Sequence, residues 1–222
     1  MASRIPVASE GWPFIAIPAA IAAGLALTGR RRLALPFAGA ALASLGFFRD
    51  PERAIPWVPG GILSPADGRV TSVDEAIDDF VGPAVRVSIF LSPVDVHVNR
   101  APVAGRVIRS IYVPGSFLNA AADKASDENE RRGIVIDSGR DSEIAMVQIA
   151  GLIARRIVTF VNEGDSVGVG ERVGLIRFGS RVDLYLPAGR GALVAVGQRA
   201  IGGETVVADL RSSEPEREAR AQ

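Results

Sequence analysis

The feature that most constrains this chain is its N-terminal stretch, where two uncharged apolar runs are divided by three arginines. Residues 11–29 carry no charge, Arg30, Arg31 and Arg32 follow, and a second uncharged run extends from Leu33 to Phe48. As a helix the first run reaches about 28 Å, close to the thickness of a bilayer core. Two adjacent core helices without a charged face would be out of place in a chain of 222 residues. A cleaved leader fits poorly, because its basic cluster should precede a single apolar run. The reading is a membrane-associated helical hairpin with its linker over residues 1–55. Two full spans would put the arginines opposite the remaining chain, against the positive-inside tendency if that chain is cytoplasmic. A shallow re-entrant hairpin avoids this conflict, and Pro13, Pro18 and Pro36 also disfavour ideal spans. Both forms attach the chain to a membrane, and the sequence leaves the choice between them open.

Pro56, Pro59, Gly60 and Gly61 mark a linker, after which short β runs alternate with glycine and proline turns. Ala84–Leu91, Gly105–Val113, Ile134–Asp137, Glu143–Ile149 and Ile157–Val161 read as strands. The polar interval Asn119–Arg132 reads as a loop or short helix over one face. Residues 211–222 form a charged, apolar-poor tail expected to be disordered. Turns at Glu163–Val167, Gly170–Gly174 and Gly202–Val206 resemble the barrel-sandwich arrangement of lipoyl and biotinyl carrier domains. The predicted fold is therefore mainly β: a glycine-punctuated β-sandwich or barrel-sandwich-hybrid-like domain over 56–210, preceded by the apolar hairpin. A carrier would present a lysine at its hairpin. In Leu175–Pro187 the chain presents Gly179-Ser180 there instead.

Composition removes several chemistries. With 25 basic and 25 acidic residues the net charge is zero, so nucleic acid is not an expected partner. No cysteine is present, which excludes disulfides and thiolate nucleophiles, and His97 is the only histidine, which excludes a His-cluster metal site. Lys124 is the only lysine among the 25 basic residues. Amine chemistry would therefore draw its carbonyl from the protein and its amine from the substrate.

Three side chains could carry a reaction. Ser180 needs a base, and His97 is the one imidazole, with an ordinary pKa near 6.5 suited to neutral pH. Asp67 can orient that imidazole, with Asp95 as the competing carboxylate. Pro65-Ala66-Asp67-Gly68-Arg69-Val70 and Pro102-Val103-Ala104-Gly105-Arg106-Val107 share a turn frame in which Ala104 replaces Asp67. The turn evidently does not require the carboxylate, so Asp67 needs another reason. Gly179 permits the strained backbone that attack by Ser180 on the preceding carbonyl would demand.

Four segments together resemble the phosphatidylserine decarboxylase family in its short, single-domain form. They are Phe47-Phe48-Arg49-Asp50-Pro51-Glu52-Arg53, Ser64-Pro65-Ala66-Asp67-Gly68, Leu91-Ser92-Pro93-Val94-Asp95-Val96-His97 and Phe178-Gly179-Ser180. The resemblance runs from about residue 11 to about residue 210. It implies that Ser180 attacks the Gly179 carbonyl and that the chain splits into a β chain, 1–179, and an α chain, 180–222, which stay associated. Ser180 then becomes a covalent pyruvoyl cofactor, with His97 and Asp67 as base and orienting carboxylate and no metal. The pyruvoyl ketone would form a Schiff base with the amine of phosphatidylserine and accept electrons as CO2 leaves, giving phosphatidylethanolamine. Larger members carry Leu-Gly-Ser-Thr at the cut, whereas this chain has Phe178-Gly179-Ser180-Arg181. The expected location is the bacterial inner membrane with the β domain on the cytoplasmic face; self-association is left open. The competing readings are a non-enzymatic membrane-anchored β-sandwich adaptor and a pyruvoyl decarboxylase for another amine.

Overall fold

The computed structural model describes residues 6–78, 81–115, 129–139, 142–151, 156–177 and 180–211. The chain forms two compact units, Met1–Glu52 and Arg53–Gln222. In the first, helices α1 (Trp12–Leu27) and α2 (Arg31–Phe47) pack against each other across a short turn. The turn closes with Gly29 at φ 78°, and Thr28 Oγ1 donates to the carbonyls of Gly24 and Leu25. Arg30, Arg31 and Arg32 are exposed at this tip. The open end is tied by Ala8 N to Phe48 O and Asp50 N to Pro6 O, both 2.8 Å. Phe14 stacks on Phe48 with ring centroids 5.3 Å apart. Gly11 makes this closure possible, because a Cβ there would lie 2.4 Å from that of Phe48. Both helices run through their interior prolines, Pro18 and Pro36. Ser9–Leu27 is long and apolar enough to cross a membrane, and large apolar side chains such as Leu27, Leu35 and Leu42 face outward.

Among the described residues the strands of the second unit pair antiparallel throughout. Its strands are β1 (Gly61–Leu63), β2 (Gly68–Asp78), β3 (Gly82–Leu91), β4 (Val98–Arg100), β5 (Gly105–Val113), β6 (Arg131–Asp137) and β7 (Glu143–Ala150), followed by β8 (Ile157–Thr159), β9 (Ser166–Val167), β10 (Arg172–Ile176), β11 (Ser180–Pro187), β12 (Arg199–Ala200) and β13 (Val206–Asp209). A curled eight-stranded sheet has the order β12-β2-β3-β11-β7-β6-β5-β9, beside a three-stranded sheet β4-β10-β8 and the pair β1-β13. Strand alternation sends Val182, Leu184 and Leu186 into the main core and Tyr185 into a smaller cluster with Val135, Val147 and Ile149. Arg181 and Asp183 share the Tyr185 face as a buried ion pair, Nε to Oδ1 2.9 Å.

The repeated turn seen in the sequence extends into a local twofold correspondence. Pro65 O accepts from Arg100 N, and Pro102 O accepts from Leu63 N, both at 2.9 Å. Val70 exchanges main-chain bonds with Gly197 and Gln198, as Val107 does with Gly164 and Asp165. Gly203 N reaches Ser64 O and Gly170 N reaches Ala101 O, both at 2.8 Å. Strand β12 lies on Gly68 and Arg69 as β9 lies on Gly105 and Arg106. Each half needs glycine where its turn enters the strand: a Cβ would sit 2.2 Å from Phe90 O at Gly68 and 2.1 Å from Asp137 O at Gly105.

One expectation is corrected. The runs on either side of Gly179-Ser180 do not form a hairpin with each other. Both edges of β10 are taken by β4 and β8, and both edges of β11 by β3 and β7. The two strands therefore belong to different sheets. Gly179 itself, residues 119–128 of the polar interval and residues 212–222 of the tail lie outside the described residues.

Candidate active site

Ser180 opens β11, fully buried, with Leu91 opposite it on β3 and Ala150 on β7. Its Oγ has no hydrogen-bond partner among the described residues. A buried hydroxyl without a partner is costly, since folding strips its water and returns nothing. Such a cost is expected where a group is kept for a reaction.

His97 lies on the segment between β3 and β4, the latter in the three-stranded sheet. After Leu91 the chain turns at Ser92–Asp95: Asp95 N donates to Ser92 O at 2.9 Å, while the amide and hydroxyl of Ser92 both donate to Asp95 Oδ2 at 2.8 Å. The turn delivers His97, fully buried, just before β4. His97 O accepts from Ile176 N at 3.3 Å, four positions before Ser180. The ring Nδ1 lies 3.0 Å from the main-chain O of Asp95. A carbonyl oxygen can only accept, so Nδ1 carries the hydrogen and the neutral ring keeps its lone pair on Nε2. Among the contacts described here, the imidazole is thus oriented by the Asp95 main chain.

The side chain of Asp95 serves the turn instead. Burial pushes its carboxyl pKa upward, but the hydroxyl and amide of Ser92 and the guanidinium of Arg199 outweigh burial and hold it below the usual value. Arg199 Nη2 makes a short charge-assisted bond to Asp95 Oδ1. Asp67 is occupied elsewhere: Arg53 Nη2 donates to both of its oxygens, at 2.9 and 2.8 Å, and Gly202 N donates to Oδ1 at 2.8 Å. All four residues, Asp67, Asp95, His97 and Ser180, lie in the second unit, and each carboxylate is held by a cation.

Several contributors had no signal in the sequence. Gln148 Nε2 donates to Asn99 Oδ1 at 2.7 Å, and both side chains are fully buried. Asn99 Nδ2 and Gln148 Oε1 have no partner among the described residues. Gln148 shares its strand face with Ala150, the residue opposite Ser180. This places spare hydrogen-bonding capacity on the face to which Ser180 belongs. Gly174 permits the approach, since a Cβ there would lie 2.9 Å from Gln148 Nε2. Arg53 ends the Phe47–Arg53 segment, and Arg199 lies in no motif.

Comparison with known proteins gives a consistent result. Residues 42–208 match the family model described as phosphatidylserine decarboxylase. The chain is 52% identical over 218 residues to the phosphatidylserine decarboxylase proenzyme of Xanthobacter autotrophicus, covering 96% of this chain and 93% of that one. It is 50% identical over 212 residues to the protein of the same name from Azorhizobium caulinodans, covering 93% and 90%. The Burkholderia multivorans protein of that name is 46% identical over 205 residues, covering 92% and 96%.

Proposed function

Because the chain belongs to the phosphatidylserine decarboxylase family and is an enzyme of that type, we propose that it is made as a proenzyme that cuts itself between Gly179 and Ser180. Ser180 becomes a pyruvoyl group, and the mature enzyme converts phosphatidylserine to phosphatidylethanolamine and CO2. The observation that carries this reading is the fully buried Ser180 hydroxyl, unpartnered among the described residues, directly after Gly179.

The self-cleavage uses groups the chain itself provides. His97 Nε2 takes the Ser180 Oγ proton, and Oγ bonds to the carbonyl carbon of residue 179 as the nitrogen of residue 180 leaves with a proton. Negative charge develops on that carbonyl oxygen, and the Nδ2 of Asn99, without a partner among the described residues, is the donor we assign to it. Loss of the Ser180 α-proton then breaks the Cβ–Oγ bond and releases residue 179 as a carboxylate. Water replaces the amine nitrogen of residue 180, which departs as ammonia and leaves a ketone.

The residues fit the resulting group. The main chain of residue 180 is laddered to Leu91 and Ala150, which would hold a new N-terminus at that place in a dry setting. When bound, the pyruvoyl ketone supplies a site for the substrate amine and a sink for the electrons released with CO2. His97, already oriented, can return a proton to the substrate carbon. The piece after the cut supplies β11, β12 and β13, each paired with a strand from before it, so the two chains stay associated. We assign residues 1–55 to membrane attachment at the bacterial inner membrane, 56–210 to the cytoplasmic-facing catalytic domain and 211–222 to a tail.

The test is to purify the protein from its membrane and determine its fragments by mass spectrometry. Two pieces ending and beginning at 179 and 180, the second with a pyruvoyl terminus, are expected, and Ser180→Ala should remain whole. A Ser180→Ala variant that still splits sinks the proposal. CO2 release from phosphatidylserine in micelles, and none from free serine, is expected for the substrate.

A further inference from the structure

We propose that Arg53 is a positioning residue for the chemistry at Ser180, acting by fixing the carboxylate of Asp67; this rests on the reading of Asp67 as part of the self-cleavage machinery. One guanidinium nitrogen, Nη2, bridges both oxygens of Asp67, and the amide of Gly202 fixes Oδ1 from another direction. Both side chains are largely buried, with 11% and 12% of their surfaces exposed. A carboxylate gripped from two sides cannot swing about its χ2 axis.

Arg53 is itself placed by a strap of three successive residues. Ala54 N donates to Glu204 Oε1 at 3.1 Å. Ile55 packs against two glycines: a Cβ would meet its Cδ1 at 2.3 Å from Gly170 and at 3.1 Å from Gly203. Pro56 then keeps Ile55 extended, because its ring disfavours a helical residue before it. The strap fixes the origin of the Arg53 side chain, and the side chain fixes Asp67.

The bland alternative is that Arg53 and Asp67 merely hold the turn. The second half of the molecule argues against it. The turn at Pro102–Gly105 makes the corresponding main-chain bonds with Ala104 in the place of Asp67. The turn therefore forms without a carboxylate and without a cation to meet it. Buried ion pairs are close to neutral for stability compared with apolar packing, so stability alone gives little reason to keep one here.

The test is a double-mutant cycle on the full-length protein, read as the rate at which the two pieces appear. Arg53→Met is expected to slow self-cleavage at least about tenfold, the order of effect of a displaced catalytic group. Arg53→Lys, which keeps a cation able to bridge both oxygens, should recover most of that loss. Asp67→Asn should be at least as slow as Arg53→Met, and the double variant no slower than Asp67→Asn alone, since Arg53 acts through Asp67. Thermal unfolding of each variant shows that the fold persists; if Arg53→Met does not fold, Arg53→Gln takes its place in the cycle. Cleavage of Arg53→Met at the parental rate overturns the proposal, as do penalties that multiply in the double variant. Normal cleavage of Asp67→Asn, with Ser180→Ala still blocked, instead removes Asp67 from the machinery and the proposal with it, leaving the assignment of Ser180 intact.

Discussion

Gly68 and Gly105 occupy corresponding places in the two halves, so alanine at each should cost stability, rather more at Gly68 where φ is +157°, and the two should differ far more in activity. A Cβ would lie 2.1 Å from Asp137 O at Gly105 and 2.2 Å from Phe90 O at Gly68, where ordinary contact begins at 3.4 Å. The strands must then part by about 1.2–1.3 Å, the difference between those distances. Overpacking of this kind costs about 1–3 kcal/mol. The shift also strains the ladder at Arg106–Asp137 or Arg69–Phe90, with about 1 kcal/mol for each hydrogen bond lost. The sum, roughly 2–4 kcal/mol, should lower Tm by roughly 5–15 °C for a chain of this size. Thermal unfolding in detergent measures this, and fragment appearance at a temperature where both variants are folded measures the chemistry. Gly68→Ala displaces the neighbouring Asp67 and should slow self-cleavage well beyond Gly105→Ala, whose neighbour is Ala104. Parental stability in either variant would refute the contact argument, and equal cleavage rates would refute the division of labour between the halves.

Three further outcomes follow from the same structure. His97→Ala should slow self-cleavage by about 100-fold or more, the usual scale for a general base. Asp95→Asn should be milder, because the main-chain oxygen that orients the ring remains; the order of the two rates checks this. The Asp95 carboxyl is held below its ordinary value, so its contribution to stability is complete above its unfolded pKa of 3.8 and is lost as pH falls through the lower folded value. Ser92→Ala removes a donor and raises the folded value towards 3.8; it should be less stable than the parent at neutral pH, and the gap should close in acid denaturation profiles below about pH 4. Arg181→Met removes one cation from the buried ion pair with Asp183 and should destabilise by about 3–5 kcal/mol in denaturant unfolding, whereas replacing both residues with apolar ones should cost far less.

Local pattern made some of this legible and not the rest. Gly105–Val113 is a strand with the predicted ends, and Ala84–Leu91 lies within β3, because alternation and bounding glycines are local signals. The hairpin expectation at Gly179-Ser180 failed because partner choice is non-local: adjacency in sequence says nothing once β4, β8, β3 and β7 have taken the available edges. The contrast of Asp67 with Ala104 did isolate a residue whose carboxylate the turn does not need. What holds that carboxylate was not readable, since Arg53 and Gly202 are remote in sequence and meet only in the fold. Orientation of His97 by a main-chain oxygen has no side-chain signature at all. The amides of Asn99 and Gln148 are equally silent, because a buried amide pair follows no sequence period.

The twofold correspondence also accounts for how one half could carry the proposed chemistry while the other does not. By the pairing of Leu63 with Arg100, Gly60 corresponds to His97; Ala104 corresponds to Asp67, and Val169 to Gly202. Gly60, Ala104 and Val169 all line one apolar cleft of about 310 Å³, together with Trp57 and Leu210. The half proposed to be reactive and this cleft are thus built on the same main-chain frame with different side chains. A frame that closes in both halves through main-chain bonds leaves the side chains at one end free to be costly: a buried hydroxyl, spare amides and a gripped carboxylate. The same frame makes a broken chain tolerable. Because β11 is laddered on both edges and β12 and β13 are each paired across the cut, scission before Ser180 removes one covalent link and none of those ladders. A strand held by only one neighbour could not offer its first residue as a new terminus and still keep it buried.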